Sequence, residues 1–114
     1  INDKSIDELG CMIVAGSANV QLTRPDLGQR LHDKGVLYAP DYVINAGGLV
    51  YASLLRHGKS QDEIFQNISN IQNTLRDIFY QSENSSIATS EIADTLAREK
   101  LHLAKVNPHT IVAA

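Results

Sequence analysis

The chain has 114 residues, 43% hydrophobic and 20% charged, with a formal net charge of −3 at pH 7. That is the size and balance of one ordinary globular domain with a single core. No basic run marks a nucleic-acid surface, and no apolar run approaches the ~20 residues that cross a bilayer, so neither partner is expected.

The opening INDKSIDELG is polar and acidic, unlike a signal peptide. The chain starts without Met and reads as a piece of a longer protein. The lone Cys11 excludes an internal disulfide and suits a reducing, cytoplasmic setting. It sits in CMIVAG, Cys11 to Gly16, an apolar run that predicts a strand buried on both faces and makes the thiol a buried strand residue. A helix is predicted next, with Thr23 as cap, Pro25 in its first turn, Leu27 and Leu31 on one face and Gly35 as left-handed C-cap. VLYA, from Val36, is the second strand, stopped by Pro40. Together they form a βαβ unit.

Three helices follow. The first runs from Tyr42 to about His57, with Gly47 and Gly48 inside it and Gly58 closing it. The second opens on a capping box of Ser60 and Glu63 and carries the stripe Ile64, Ile68, Ile71, Leu75 and Ile78, until SENSS breaks it. The third, about Ser90 to Lys105, sets Ile92, Leu96 and Leu101 on one side. The tail VNPHTIVAA is interrupted by Pro108. Two strands cannot hold a parallel sheet alone. The pattern therefore predicts the second half of a doubly wound α/β domain, its other strands supplied from elsewhere.

The chain carries no glycine-rich phosphate turn, Walker loop or C-x-x-C, and His32, His57, His102 and His109 lack metal-ligand spacing. Two Asn-bearing corners remain: AGSAN, Ala15 to Asn19, after the first strand, and NAGG, Asn45 to Gly48, after the second. Ligands in open α/β sheets lie outside the carboxyl ends of the strands. Small residues there admit a flat ring, and an asparagine offers the donor and acceptor that a carboxamide needs. The competing reading is that the glycines only let helices pack closely and Asn45 only caps.

IVAGSAN with Gln21 and Leu22, followed by LHDKGVLYAPDYVINAGG, closely resembles the leucine dehydrogenase family within the Glu/Leu/Phe/Val dehydrogenases. The resemblance runs from Ile1 to about Leu101, ADTLAREKL matching a late helix. It implies a Rossmann-like NAD-binding domain, of which residues 1–114 are the C-terminal part, and an activity that deaminates a branched-chain L-amino acid oxidatively to the 2-oxo acid and ammonia. The family's substrate domain, with its catalytic lysines and aspartate, and its pyrophosphate turn have no counterpart here, so these residues alone are expected to be inactive. The resemblance implies that Ala15, Gly16, Ser17, Ala18 and Asn19 line the nicotinamide side of NAD, with Asn45, Ala46 and Gly47 near its carboxamide and ribose. It further implies that Val20, Leu49 and Ala52 face the amino acid substrate, and that the whole protein is a homo-oligomer.

One residue departs from the pattern. Where the family has an asparagine that helps hold the substrate carboxylate, this chain has Val20, which cannot hydrogen-bond it. A non-catalytic relative, or a structural or oligomerising domain, is the alternative.

Overall fold

The structure is a computed structural model that describes residues 1–106. Elements follow one another as α1 (Ser5–Glu8), β1 (Ile13–Val14), α2 (Leu27–Asp33), β2 (Leu37–Tyr38), α3 (Asp41–Ile44), α4 (Gly47–Arg56), α5 (Gln61–Ser85) and α6 (Thr89–Val106). The two strands are parallel, Ile13 opposite Leu37 and Val14 opposite Tyr38, and α2 connects them. The chain is thus an α/β fragment, mostly helical, around a small parallel pair. The Pro108 tail and His109 lie outside the described residues.

Burial explains this βαβ unit. Ile6, Leu27, Leu31, Val36 and Tyr38 form one buried cluster, with Ile1, Leu9, Val14 and Leu22 packed against it. Gly35 has φ +71° and ends α2 in the left-handed turn its sequence predicts. An ion-pair network of Asp3 and Asp7 with Arg24, Arg30 and Lys34 ties α1 to the α2 region on the surface.

Five expectations are corrected. β1 is only two residues long, and its Ile13 is exposed: no other strand among the described residues covers its outer edge. Cys11 precedes β1 and is exposed rather than a buried strand thiol. Thr23 does not cap α2, which starts at Leu27 with no side-chain cap; Thr23 spends its N–H on the Ile1 carbonyl instead. The helix predicted from Tyr42 to His57 is two helices, broken at Asn45 and Ala46. Leu101 is 63% exposed and does not join Ile92 and Leu96 in the packed face.

The long stripe on α5 behaves as its spacing predicts. Ile64 and Ile78 are fully buried, and Ile68, Ile71 and Leu75 are half-buried. The Ser60–Glu63 capping box is present, and holds the Glu63 carboxyl down at about 2 through the Ser60 N–H, Lys59 and the Ser60 hydroxyl. SENSS does end the helix, at its last residues: Ser85 Oγ donates back to the Gln81 carbonyl, Ser82 Oγ donates forward to the Ile87 carbonyl beyond the helix, and α5 stops at Ser85 with Ser86, φ +57°, as its left-handed C-cap. Helix α6 starts one residue earlier than predicted. Thr89 Oγ1 donates to the Tyr38 carbonyl at 2.6 Å, which fastens the start of α6 to the end of β2.

Candidate functional site

Because β1 and β2 are parallel, the segments that follow them leave the same edge of the sheet. One is the loop from Ala15 to Leu22; the other is α3, the break, and α4. The two meet through a pair of carboxamides. Asn45 Nδ2 donates to Asn19 Oδ1 at 3.3 Å. Among the described residues this contact leaves Asn19 Nδ2 and Asn45 Oδ1 without another protein partner, so the pair presents one donor and one acceptor outward.

A buried carboxylate stands behind the pair. Asp41, 8% exposed, accepts the Tyr38 hydroxyl on Oδ1 at 2.5 Å and the Val20 N–H on Oδ2 at 2.9 Å. Burial, then the hydrogen bond to Asp41, raises the Tyr38 hydroxyl well above the usual phenol range, so it stays a donor. Tyr42 is raised in the same way, by burial and by its 2.8 Å bond to Asp94; the Ser90 carbonyl, 3.0 Å away, shares the same proton.

The break at Asn45 sets the start of α4. Gly47 and Gly48 are its first two residues, not interior ones, so the helix-propensity penalty read from the sequence largely disappears. No side chain caps this end. A Cβ on Gly47 would lie 3.7 Å from Ile68 Cγ2, an ordinary packing distance; one on Gly48 would meet nothing within 4 Å. Helix packing within this chain therefore requires neither glycine.

Of the residues singled out by sequence, Asn19 and Asn45 are brought into contact, with Ala46 and Gly47 immediately beyond. Ala15, Ser17 and Ala18 are exposed in the loop, and Gly16 is half-buried; a Cβ on it would lie 3.6 Å from Gln21 Oε1. Leu49 and Ala52 lie one turn apart on α4, both exposed. Val20 is 81% exposed and lines, together with Asn19 and Asp41, a cleft of about 870 Å³ that reaches to Pro25, Tyr42 and the start of α6; Leu49 and Ala52 do not line that cleft. Sequence reasoning missed Tyr38, Asp41 and Tyr42. The one available signal was Asp41 directly after Pro40, at a helix start, but its partner lies 21 residues upstream. Among the described residues no group of His, Cys, Asp and Glu can hold a metal ion, and no helix is long and apolar enough to cross a membrane.

Residues 1–107 match the family model described as Glutamate/Leucine/Phenylalanine/Valine dehydrogenase. The chain is 37% identical over 101 residues to phenylalanine dehydrogenase of Thermoactinomyces intermedius, and equally to leucine dehydrogenase of Bacillus cereus. In each case 89% of this chain aligns with 28% of the relative, so the chain spans little more than a quarter of their length. The crystal structure of L-tryptophan dehydrogenase from Nostoc punctiforme superposes with a TM-score of 0.82 at 37% identity, over 93% of this chain and 32% of that one.

Proposed function

This chain belongs to the Glutamate/Leucine/Phenylalanine/Valine dehydrogenase family, and from that premise we propose that it is the C-terminal part of a Rossmann-like, doubly wound NAD-binding domain in an L-amino acid dehydrogenase. The observation that carries the reading is the Asn19–Asn45 contact at the carboxyl edge of the parallel pair. A nicotinamide carboxamide needs one acceptor and one donor, and this pair has one of each to spare. The space beyond Gly48 is open, and the uncapped start of α4 offers backbone N–H groups. The residues fit the cofactor's amide end.

NAD, when bound, supplies the hydride acceptor for oxidative deamination of the amino acid. The roles assigned to this chain are binding and orientation. Asn19 and Asn45 hold the carboxamide, with Ala15 to Ala18 and Ala46 to Gly48 kept small so that a flat ring lies against backbone. Leu49 and Ala52, exposed on one side of α4, offer an apolar surface to a branched aliphatic side chain and no charged anchor for a second carboxylate. The general acid–base groups and the pyrophosphate turn would come from other parts of the protein, and the assembled enzyme would be a homo-oligomer.

A second reading, a non-catalytic relative with a structural role, is favoured by Val20. Steady-state NADH formation by the full-length protein with L-leucine, L-valine, L-phenylalanine and L-glutamate separates the two. The dehydrogenase reading expects turnover of leucine, with discrimination of about 10- to 200-fold per methylene. Preference for glutamate would remove the Leu49–Ala52 assignment; no turnover and no NADH binding would favour the second reading. Residues 1–114 alone are expected to form no NADH.

A further inference from the structure

We propose that Asp41 is a positioning residue that holds the two halves of the Asn19–Asn45 pair in register by gripping both at once. Its side chain grips the first half. Asp41 Oδ2 accepts the N–H of Val20, the residue next to Asn19, at 2.9 Å. Its main chain grips the second half: the Asp41 carbonyl accepts the Asn45 N–H at 2.9 Å across the single turn of α3. The Asn45 Nδ2 contact to Asn19 Oδ1 closes the ring. Four residues from two segments 21 or more positions apart are thereby linked in one cycle, and Asp41 is its one buried member.

The carboxylate is itself held. Tyr38 donates its hydroxyl to Oδ1, and the Tyr38 carbonyl accepts from Thr89 Oγ1. Asp41 is nearly fully buried, so its position is fixed by packing and its Oδ2 has little choice but to face the loop.

Val20 makes the grip necessary. Its φ is +55°, in the left-handed region, and it is β-branched. Such residues avoid that region because the branched Cβ crowds the backbone, whereas Asn tolerates it. The Val20 side chain is 81% exposed, so packing does not hold it there. What the described contacts offer instead is the bond from its N–H to Asp41. Without that acceptor, the backbone at Val20 relaxes toward the extended region, and Asn19 turns away from Asn45.

The grip is a property of this chain's own residues; only its consequence for NADH rests on the function proposed above. The test is a double-mutant comparison in the full-length protein with two readouts: amide hydrogen exchange of the segment around Val20, and the dissociation constant of NADH from its fluorescence. Asp41→Ala should speed exchange around Val20 and weaken NADH binding about tenfold. Asp41→Asn keeps an oxygen for the Val20 N–H and should restore slow exchange and binding. In a Val20→Asn background, where the left-handed turn is tolerated unaided, Asp41→Ala should weaken NADH binding by less than about threefold. Equal losses in both backgrounds would overturn the proposal, as would unchanged exchange around Val20 in Asp41→Ala. If that variant does not fold, the Asp41→Asn and Val20→Asn proteins decide: faster exchange around Val20 in Asp41→Asn that Val20→Asn does not slow would overturn it. Wild-type protein that binds no NADH while exchange responds as expected would remove the cofactor reading and leave the grip supported.

Discussion

The βαβ region and the α4–α5 region satisfy their apolar residues in different ways. Between Ile6 and Tyr38 the large side chains close on one another: Ile6, Leu27 and Leu31 are completely buried inside one cluster. Along α4 and the start of α5 the chain holds fewer such residues. Val50 and Ile64 are buried, but Leu49 is 76% exposed and Tyr51, Leu55 and Phe65 also face outward. The first region draws its stability from contacts made within these residues. The second sets apolar side chains where they add little to folding, and its proposed role explains why: a side chain that is to meet a ligand is left uncovered by its own chain.

The sharpest way to break this comparison is a pair of truncations. Leu31→Ala should cost about 3 kcal/mol, because it empties a fully buried position. Leu49→Ala should stay within about 0.5 kcal/mol in the same denaturant titration, while shifting the ratio of kcat/KM values for leucine and valine. Equal destabilisation by the two would mean that the α4 surface is core after all.

The glycines sharpen it next. A Cβ on Gly28 would collide with Ser90 Oγ and lie 3.3 Å from Ser90 Cβ, so Gly28→Ala should cost about 1–3 kcal/mol in a thermal melt. Gly48→Ala meets nothing within 4 Å and takes an ordinary backbone, so by narrowing the unfolded chain's freedom it should add about 0.5 kcal/mol of stability. If the open space beyond Gly48 receives the nicotinamide, that same variant weakens NADH binding despite the gain.

Val20→Asn should stabilise the protein by about 1 kcal/mol, since Asn accepts the left-handed backbone that Val20 is held in. It also returns the amide that the sequence pattern places there, and kcat/KM for leucine should rise with little change in NADH affinity. A fall in both stability and efficiency would show that the native loop is adapted to valine.

The smallest effect is one of pH. The Glu63 carboxyl is held at about 2, below its ordinary 4.5, by the Ser60 N–H, Lys59 and the Ser60 hydroxyl. A depressed carboxyl stabilises the folded state above its ordinary value and loses that contribution as pH falls through the folded value. The start of α5 should therefore fray between about pH 4.5 and 2, seen as faster amide exchange at Glu63 and Ile64. Glu63→Gln should flatten the dependence, and the βαβ cluster should not respond to it.

By itself the sequence determined whatever is local. Spacing alone marked the α5 stripe, the Ser60–Glu63 box and the left-handed turn at Gly35, because each rests on residues within one or two turns of each other. Leu27 and Leu31, one helical face in the pattern, are both in the core. The two Asn corners were legible as well, since small residues after a strand need no partner to be noticed. Tertiary structure decided the rest. Cys11 lies outside β1 because only two residues pair with β2, and pairing is set by Leu37 and Tyr38, more than twenty positions away. The helix through Asn45 breaks where the chain must turn from the sheet edge onto α5, which no propensity in NAGG dictates. Asp41 became a central residue only when folding brought Val20 to it: a carboxylate after a proline reads as a helix start, and a hydrogen bond across 21 positions leaves no periodic trace in the sequence.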